Sequence, residues 1–185
     1  MRSPFMQRMA AGLGERGVRV ARFEFPYMQK KSQGQRTAPD RAPVLISAWK
    51  EALAAAFGGA PAVIGGKSMG GRIASMIADE VGAPGLLCLG YPFHPPKQPE
   101  KLRTAHLGEL RTRTLIVQGT RDEMGTRQDV ASYTLSKAIE ILWIEDGDHS
   151  LTPRKRMGQD PKQAMQRVMD AVAELVITAC SSSRR

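Results

Sequence analysis

The pattern Gly66-x-Ser68-x-Gly70 places a potential nucleophile on a sharp turn. The apolar residues 62–64 before it predict a buried strand, and the residues after it predict a helix. Such a strand–turn–helix unit projects the serine hydroxyl above the sheet, and glycines at 66 and 70 would let strand and helix approach closely. The Met69 amide would begin the helix, where it could bind a developing oxyanion. The pattern indicates nucleophilic catalysis, although a glycine-rich turn that merely contains serine would look the same.

The same residues also resemble the end of a phosphate-binding loop, Gly66-Lys67-Ser68. A complete loop of that kind has a glycine five positions before Gly66, where this chain has Pro61. It also needs a flexible loop before the lysine, whereas the predicted strand runs almost up to Lys67. Nucleotide binding at this motif is therefore rejected.

A nucleophilic serine needs a base, and the base needs a carboxylate that fixes its tautomer. Asp122 follows the predicted strand at 113–119, and His149 follows the predicted strand at 139–145. Since the carboxyl ends of parallel strands meet at one edge of an open sheet, we expect both residues to lie near Ser68. Two alternatives stay open: Asp122 could be a turn or helix-capping residue, and His149 could be an exposed loop histidine.

Other polar residues are weaker candidates for this chemistry. His94 and Tyr91 lie in a proline-rich loop and could face a substrate pocket. His106 lies in a predicted short helix, which makes it a poorer base. Asp146 and Asp148 flank the proposed base too closely in sequence to orient it easily.

Four segments, 65–71, 90–96, 118–122 and 146–149, resemble the small bacterial α/β-hydrolases related to dienelactone hydrolase. The branch also includes a non-catalytic-looking subunit of an animal histone-acetyltransferase complex. The resemblance covers nearly the whole chain, and the motifs occur in the same order. It implies an α/β-hydrolase fold without a large lid domain and a triad in the chain order Ser, Asp, His.

The start of the chain departs from the pattern of that family. Its members usually open with one or two strands and a His-Gly or Gly-Ala-Gly loop that donates the second oxyanion hydrogen bond. Here Ser3 and Pro4 begin a predicted helix, and residues 17–25 form the first predicted strand. We therefore expect an N-terminally shortened sheet whose strand at 61–66 has an open edge, through which the chain could aggregate or dimerise.

Alternating strand and helix patterns predict one α/β domain spanning residues 1–185, with a mostly parallel sheet and helices on both faces. At 185 residues and 42% hydrophobic, the chain can bury a substantial core. The predicted strands are 18–25, 61–66, 85–91, 113–119 and 139–145, and the predicted helices are about 3–16, 41–57, 69–81, 127–137 and 161–180. Residues 29–39 are predicted to be an exposed loop, and the proline-rich segment 92–100 a stiff loop above the sheet edge.

The composition argues against a disulfide-stabilised protein, a membrane protein and a metalloprotein. Two distant cysteines, Cys88 and Cys180, fit a reduced cytoplasmic protein better than a disulfide framework. The first residues contain no apolar run of signal-peptide length, and no apolar run is long enough to span a membrane, so no membrane partner is expected. Three scattered histidines and the absence of Cys-x-x-Cys predict no metal site, and no cofactor is expected.

The net charge of +9 raises the question of nucleic-acid binding. The basic residues cluster on predicted loops and termini, including 154–156 and 184–185, without interleaved aromatic residues. A solvated basic surface is therefore favoured over a nucleic-acid interface, and it could steer acidic substrates towards the site.

Together these patterns favour a serine hydrolase that acts on an ester or thioester of a small molecule. Ser68 would attack the carbonyl, His149 would accept its proton, Asp122 would hold His149, and the Met69 amide would stabilise the oxyanion. The alternative is a catalytically silent protein of the same fold that acts by binding.

Overall fold

The computed structural model of the protein describes residues 3–154 and 160–182. The basic residues at 155–156 and 184–185 lie outside this described part. The helices are α1 (Pro4–Gly14), α2 (Pro26–Ser32), α3 (Ala42–Phe57), α4 (Met69–Ile77), α5 (Arg127–Val130) and α6 (Pro161–Ser182), and the strands are β1 (Ile64–Lys67), β2 (Leu86–Leu89), β3 (Thr114–Gly119) and β4 (Ile139–Ile144). A short 3-10 helix spans Ala105–Gly108.

The four strands form one parallel sheet in the order β1-β2-β3-β4. Ile64 pairs with Leu86 and Leu86 with Thr114, so that the strands are aligned near their amino ends. All four strands therefore end at the same edge of the sheet, and the loops that follow β1, β3 and β4 emerge there together. The prediction of an α/β fold with a parallel sheet is confirmed.

Helices cover both faces of the sheet. Along β3, Ile116 packs with α3 and α4, whereas Leu115 and Val117 pack with α1 and α6. This alternation follows from the two-residue period of a strand, and it explains why β3 is apolar throughout most of its length. Each fully buried aliphatic side chain in these layers contributes about 1.5–3 kcal/mol to the free energy of unfolding.

The predicted strand at 18–25 is wrong, because no described strand pairs with this segment. Its residues 19–22 are exposed, and only its two ends contact the core: Val18 packs against the layer of α1 and α6, and Phe23 packs edge-on against Trp49 with ring centroids 4.8 Å apart. Charged residues interrupt its apolar positions, and an extended segment without a ladder partner is not a stable strand.

One loop prediction and one helix prediction also need correction. The predicted loop at 29–39 begins inside α2, which Pro26 starts from its first position. The predicted helix at 127–137 ends after α5, because Ser132 donates its hydroxyl to the carbonyl of Asp129 (2.6 Å) and thereby competes with helix continuation.

Within the described residues, no helix combines the length and the apolar character that a membrane span requires.

Candidate active site

Ser68 lies on the turn that joins β1 to α4. Its backbone has φ 53° and ψ −119°, a conformation that costs a non-glycine residue about 1–3 kcal/mol. The strain is held in place because its amide donates to the carbonyl of Leu89 (2.9 Å) and its carbonyl accepts from the amide of Arg72 (3.0 Å). The turn therefore fixes the direction of the Ser68 side chain before any ligand arrives.

The glycines around this turn differ in what they allow. A Cβ on Gly66 would lie 2.8 Å from the carbonyl carbon of Gly70, and one on Gly71 would lie 2.6 Å from the carbonyl oxygen of Gly66. A Cβ on Gly70 would meet nothing within 4 Å. The sequence-based choice of glycines is thus half right: close approach of strand and helix requires Gly66 and Gly71, whereas Gly70 is not sterically required.

The side chains of Ser68, His149 and Asp122 form one hydrogen-bonded chain. His149 Nε2 lies 2.9 Å from Ser68 Oγ, and His149 Nδ1 lies 2.8 Å from Asp122 Oδ2. A carboxylate can only accept, so the imidazole proton is on Nδ1, and the lone pair of Nε2 faces the serine hydroxyl. The structure brings these three predicted residues together at the carboxyl edge of the sheet.

Asp122 is completely buried, with 0% of its surface exposed. Besides the imidazole, it accepts hydrogen bonds from Gln118 Nε2 (2.9 Å) and from the amide of Met124 (3.0 Å). These partners satisfy a carboxylate that would otherwise be costly to bury, and they fix its orientation towards His149.

Gln118 was missed by sequence reasoning. Its Oε1 accepts from the amide of Tyr91 (2.7 Å), and its Nε2 also approaches the carbonyl of Gly125 (3.2 Å). A glutamine at the end of the apolar run in β3 was the available signal, because a buried amide must find partners. Its role is to connect the loop after β2 with the carboxylate of Asp122.

An ion pair closes the loop that carries His149. The Arg154 side chain forms a bidentate pair with Asp146, and Arg121 Nε lies 3.0 Å from the same carboxylate. Hydrogen bonds from Arg154 hold the pKa of Asp146 well below its usual range. Asp148 accepts from the amides of Ser150 (2.8 Å) and Thr152 (3.1 Å). Both aspartates therefore shape the loop and leave the orientation of the imidazole to Asp122.

The structure does not support Tyr91 and His94 as pocket-lining residues. Tyr91 is fully buried, packs against Phe93 at 4.8 Å between ring centroids, and donates its hydroxyl to the carbonyl of Arg103 (2.9 Å). His94 is only 3% exposed, and its Nδ1 lies 2.9 Å from the carbonyl of Pro95. The proline-rich loop folds these aromatic side chains inward. Their burial removes a large apolar area from water and therefore stabilises the fold more than exposure above the sheet edge would.

A second serine–histidine contact lies farther along α4. Ser75 Oγ is 2.8 Å from His106 Nε2, in the predicted short helix that the structure confirms as 3-10. Ser75 is 3% exposed and donates its hydroxyl to the carbonyl of Arg72 (2.7 Å). Within the described residues, no carboxylate is hydrogen-bonded to His106.

Two surface depressions lie away from the triad. One, of about 450 Å³, is lined by residues of α1 and α6 such as Arg16 and Ile177, and the other, of about 330 Å³, lies near the amino ends of β3 and β4. Neither contains a triad residue. In the described part of the chain, no three His, Cys, Asp or Glu side chains are grouped as metal ligands.

Comparisons with known proteins agree with this fold. A family described as "Alpha/beta hydrolase domain" matches residues 1–177. The esterase domain of a Rhodothermus marinus protein is similar in structure, with a TM-score of 0.62, 16% identity, and coverage of 92% of this chain and 77% of that chain. An α/β serine hydrolase homologue from Coxiella burnetii has a TM-score of 0.68, 17% identity, and coverage of 91% and 76%. At these identities the structural likeness shows the fold alone, but the family match spans most of the chain: the protein belongs to the α/β-hydrolase family.

Proposed function

We propose that the protein is a serine hydrolase that cleaves an ester or thioester of a small molecule. The observation that carries the proposal is the continuous hydrogen-bonded chain from Ser68 through His149 to Asp122. Its proton arrangement is the one that a nucleophilic serine requires, since the base presents a lone pair to the hydroxyl.

In the first half of the reaction, Ser68 Oγ attacks the substrate carbonyl while its proton passes to His149 Nε2. The imidazolium is stabilised by Asp122, which stays ionised. Nε2 then returns the proton to the departing alcohol or thiol, and an acyl-serine remains. In the second half, Nε2 takes a proton from water, the resulting hydroxide attacks the acyl carbonyl, and Ser68 leaves with the proton restored.

The amino end of α4 is placed to stabilise the negative charge of the two tetrahedral intermediates. Met69 is the first residue of the helix, so its amide has no acceptor inside the helix. This donor follows directly after the nucleophile, and the helix dipole adds to its effect.

The finer assignment, a relation to dienelactone hydrolase and its histone-acetyltransferase-complex branch, rests on the sequence motifs. The names of the structural neighbours, an esterase domain and a serine hydrolase homologue, are compatible with it. The free thiols of Cys88 and Cys180 support the further proposal that the protein works in a reducing compartment such as the cytoplasm.

The alternative, a silent binding protein of this fold, is less well supported. A binding role would not require a strained serine, an imidazole and a buried carboxylate held in one line. The strain at Ser68 is maintained by the fold, and strain of this kind concentrates at functional sites.

Hydrolysis of p-nitrophenyl acetate and of the acetyl thioester of a small thiol tests the proposal. Wild type should hydrolyse at least one of them with burst kinetics, and Ser68→Ala should abolish the reaction. Ser75→Ala is the matched control, because it removes a nearby serine, within α4, that also contacts a histidine, and it should retain activity. Absence of hydrolysis by folded wild type, or equal activity in Ser68→Ala, would refute the proposal.

A further inference from the structure

Lys67 precedes the nucleophile and extends beneath the loop that carries the base. Its Nζ donates to the backbone carbonyl of His149 at 2.5 Å, although the two residues are 82 positions apart in the chain. Lys67 pairs in register with Leu89, which belongs to the core layer under α1 and α6, and Phe5 of α1 covers the ammonium with its ring centroid 5.7 Å away. The lysine therefore joins the nucleophile turn to the base loop from the α1 side of the sheet.

The ammonium of Lys67 and the imidazole of His149 both lie next to the backbone of Gly90. A Cβ on Gly90 would be 3.2 Å from Lys67 Nζ and 3.4 Å from His149 Cε1. Gly90 also has φ 64°, a conformation suited to glycine. The positive charge thus lies on the Cε1 side of the imidazole.

The charges around this lysine come from several elements. Asp122, after β3, and Asp148, on the base loop, both attract the ammonium, whereas Phe5 from α1 and Gly90 after β2 bring no charge. Burial lowers the pKa of the Lys67 ammonium, and the two carboxylates oppose that effect. The imidazole has the Asp122 carboxylate at its Nδ1, and its Cε1 faces the same side of Gly90 as the Lys67 ammonium.

We infer that Lys67 is a positioning residue for the base. It holds the His149 loop by its carbonyl, so that Nε2 stays within reach of Ser68, and its charge favours the neutral imidazole that can accept the serine proton. The hydrogen bond of the lysine goes to the backbone carbonyl of His149 and not to the imidazole or to the Ser68 hydroxyl. The inference rests on the proposed hydrolase function, and it assigns a purpose to the residue that made the motif resemble a phosphate-binding loop.

Kinetics of Lys67→Met test the inference. Methionine keeps an unbranched side chain of nearly the same length beside Phe5, but it removes the hydrogen-bond donor and the charge. We expect kcat for p-nitrophenyl acetate to fall about 10–100-fold with little change in KM, as misplacement of a catalytic group does. The acid limb of the activity profile should move to higher pH, because the imidazolium no longer meets a neighbouring cation.

Two further variants separate positioning from a general loss of structure. Lys67→Arg restores a donor and a charge, and it should recover much of kcat and return the acid limb towards that of wild type. Lys50→Met is the matched control, because it removes an exposed lysine paired with Glu80 (2.5 Å) on the surface. It should leave both kcat and the acid limb of the pH profile unchanged.

A spectroscopic measurement that needs no activity distinguishes failure of this inference from failure of the proposed function. The chain has three histidines, so the imidazole resonance of His149 can be assigned by its loss in His149→Gln. In a Ser68→Ala background, Lys67→Met should move the titration of that resonance to higher pH.

If wild type is active but Lys67→Met keeps the wild-type kcat, profile and titration, the inference is wrong and the hydrolase function stands. The inference is also wrong if Lys67→Met and Lys67→Arg lose kcat and thermal stability equally without any change in pH dependence. If wild type is inactive while the titration shift is present, the hydrolase function fails and the effect of Lys67 on the imidazole stands.

Discussion

Two serine–histidine pairs have nearly the same separation, one at the turn before α4 and one within α4, yet only one has the arrangement of a nucleophile and its base. Ser68 Oγ is 2.9 Å from His149, and Ser75 Oγ is 2.8 Å from His106. The distance between the two groups therefore does not identify a catalytic pair.

The pairs differ in the direction of the shared proton. Ser75 gives its hydroxyl proton to the carbonyl of Arg72, so His106 can only donate to the Ser75 oxygen. His149 gives its Nδ1 proton to Asp122, which leaves Nε2 free to accept from Ser68. The carboxylate on the far side of the imidazole thus decides which partner can act as a base.

The surroundings of the two pairs differ in the same sense. Ser68 has a strained backbone and is partly exposed, whereas Ser75 is buried in the body of α4. Burial, followed by the charge of Arg72, lowers the pKa of His106, so its neutral form is favoured. The second pair is a packing contact that contributes about 1 kcal/mol to stability.

Removal of the carboxylate should make the first pair resemble the second. Asp122→Asn keeps the size of the side chain, but its amide can donate to Nδ1 and favour the wrong tautomer. We expect kcat/KM to fall about 10⁴-fold, the loss typical of such a substitution in a triad, with the fold retained. Activity assays with circular dichroism check this, and His106→Gln, which should keep full activity, is the control. Full activity in Asp122→Asn would show that the carboxylate does not select the tautomer.

A smaller loss should follow when only the support of the carboxylate is removed. Gln118→Met deletes one hydrogen bond to Asp122 and leaves the amide of Tyr91 without its acceptor. Each buried group left unpaired costs about 1–3 kcal/mol, so the thermal midpoint should fall. The rate should fall by less than in Asp122→Asn, because the carboxylate remains. A rate equal to that of Asp122→Asn would mean that Gln118 has a more direct role.

The nucleophile turn can be tested through two adjacent glycines. Gly71→Ala brings a Cβ to within 2.6 Å of the Gly66 carbonyl oxygen and should destabilise the protein by about 1–3 kcal/mol. Gly70→Ala meets nothing and should be neutral or stabilising by up to about 1 kcal/mol, because alanine favours the helix. Urea unfolding of both variants provides the comparison. Equal destabilisation by both would contradict the described packing of β1 against α4.

We expect the smallest effect from removal of the ion pair that closes the base loop, and we expect that effect on the thermal midpoint to depend on pH. The folded pKa of Asp146 is depressed, so the stabilisation by Arg154 is fully present above the unfolded carboxyl value of about 3.9 and is lost as the pH falls through the folded value. The thermal midpoint of Arg154→Met should therefore be lower than that of wild type at neutral pH, and the difference should shrink in strong acid. A difference that is independent of pH would contradict this assignment.

Much of the fold follows from local sequence signals. Apolar runs predict β2, β3 and β4, and the run at 62–64 predicts β1, which begins at the last residue of that run, Ile64. The alternation of these runs with helical patterns predicts a parallel sheet with its loops at one edge. Ser68 was chosen from its glycine-flanked turn, and Asp122 and His149 were chosen because each follows a strand; the topology of the sheet brings the three side chains together. The segment at 18–25 shows the limit of such signals, because a strand depends on a partner that the segment itself does not encode.

The residues that support the triad could not be predicted in this way. Lys67 contacts a carbonyl 82 positions later, and Gln118 connects loops that follow two different strands. Such contacts depend on the relative placement of loops in three dimensions. Tyr91 was misassigned for the same reason, since its sequence position above the sheet edge does not reveal that its side chain turns inward.

The most direct test of the central claim is to identify the serine that a fluorophosphonate probe modifies. We predict a single adduct on the peptide that contains Ser68, lost in Ser68→Ala and strongly reduced in His149→Ala, with Ser75 unmodified. An adduct on Ser75, or no adduct on folded wild type, would contradict the account, because it would mean that the proton arrangement around these two serines does not determine their reactivity.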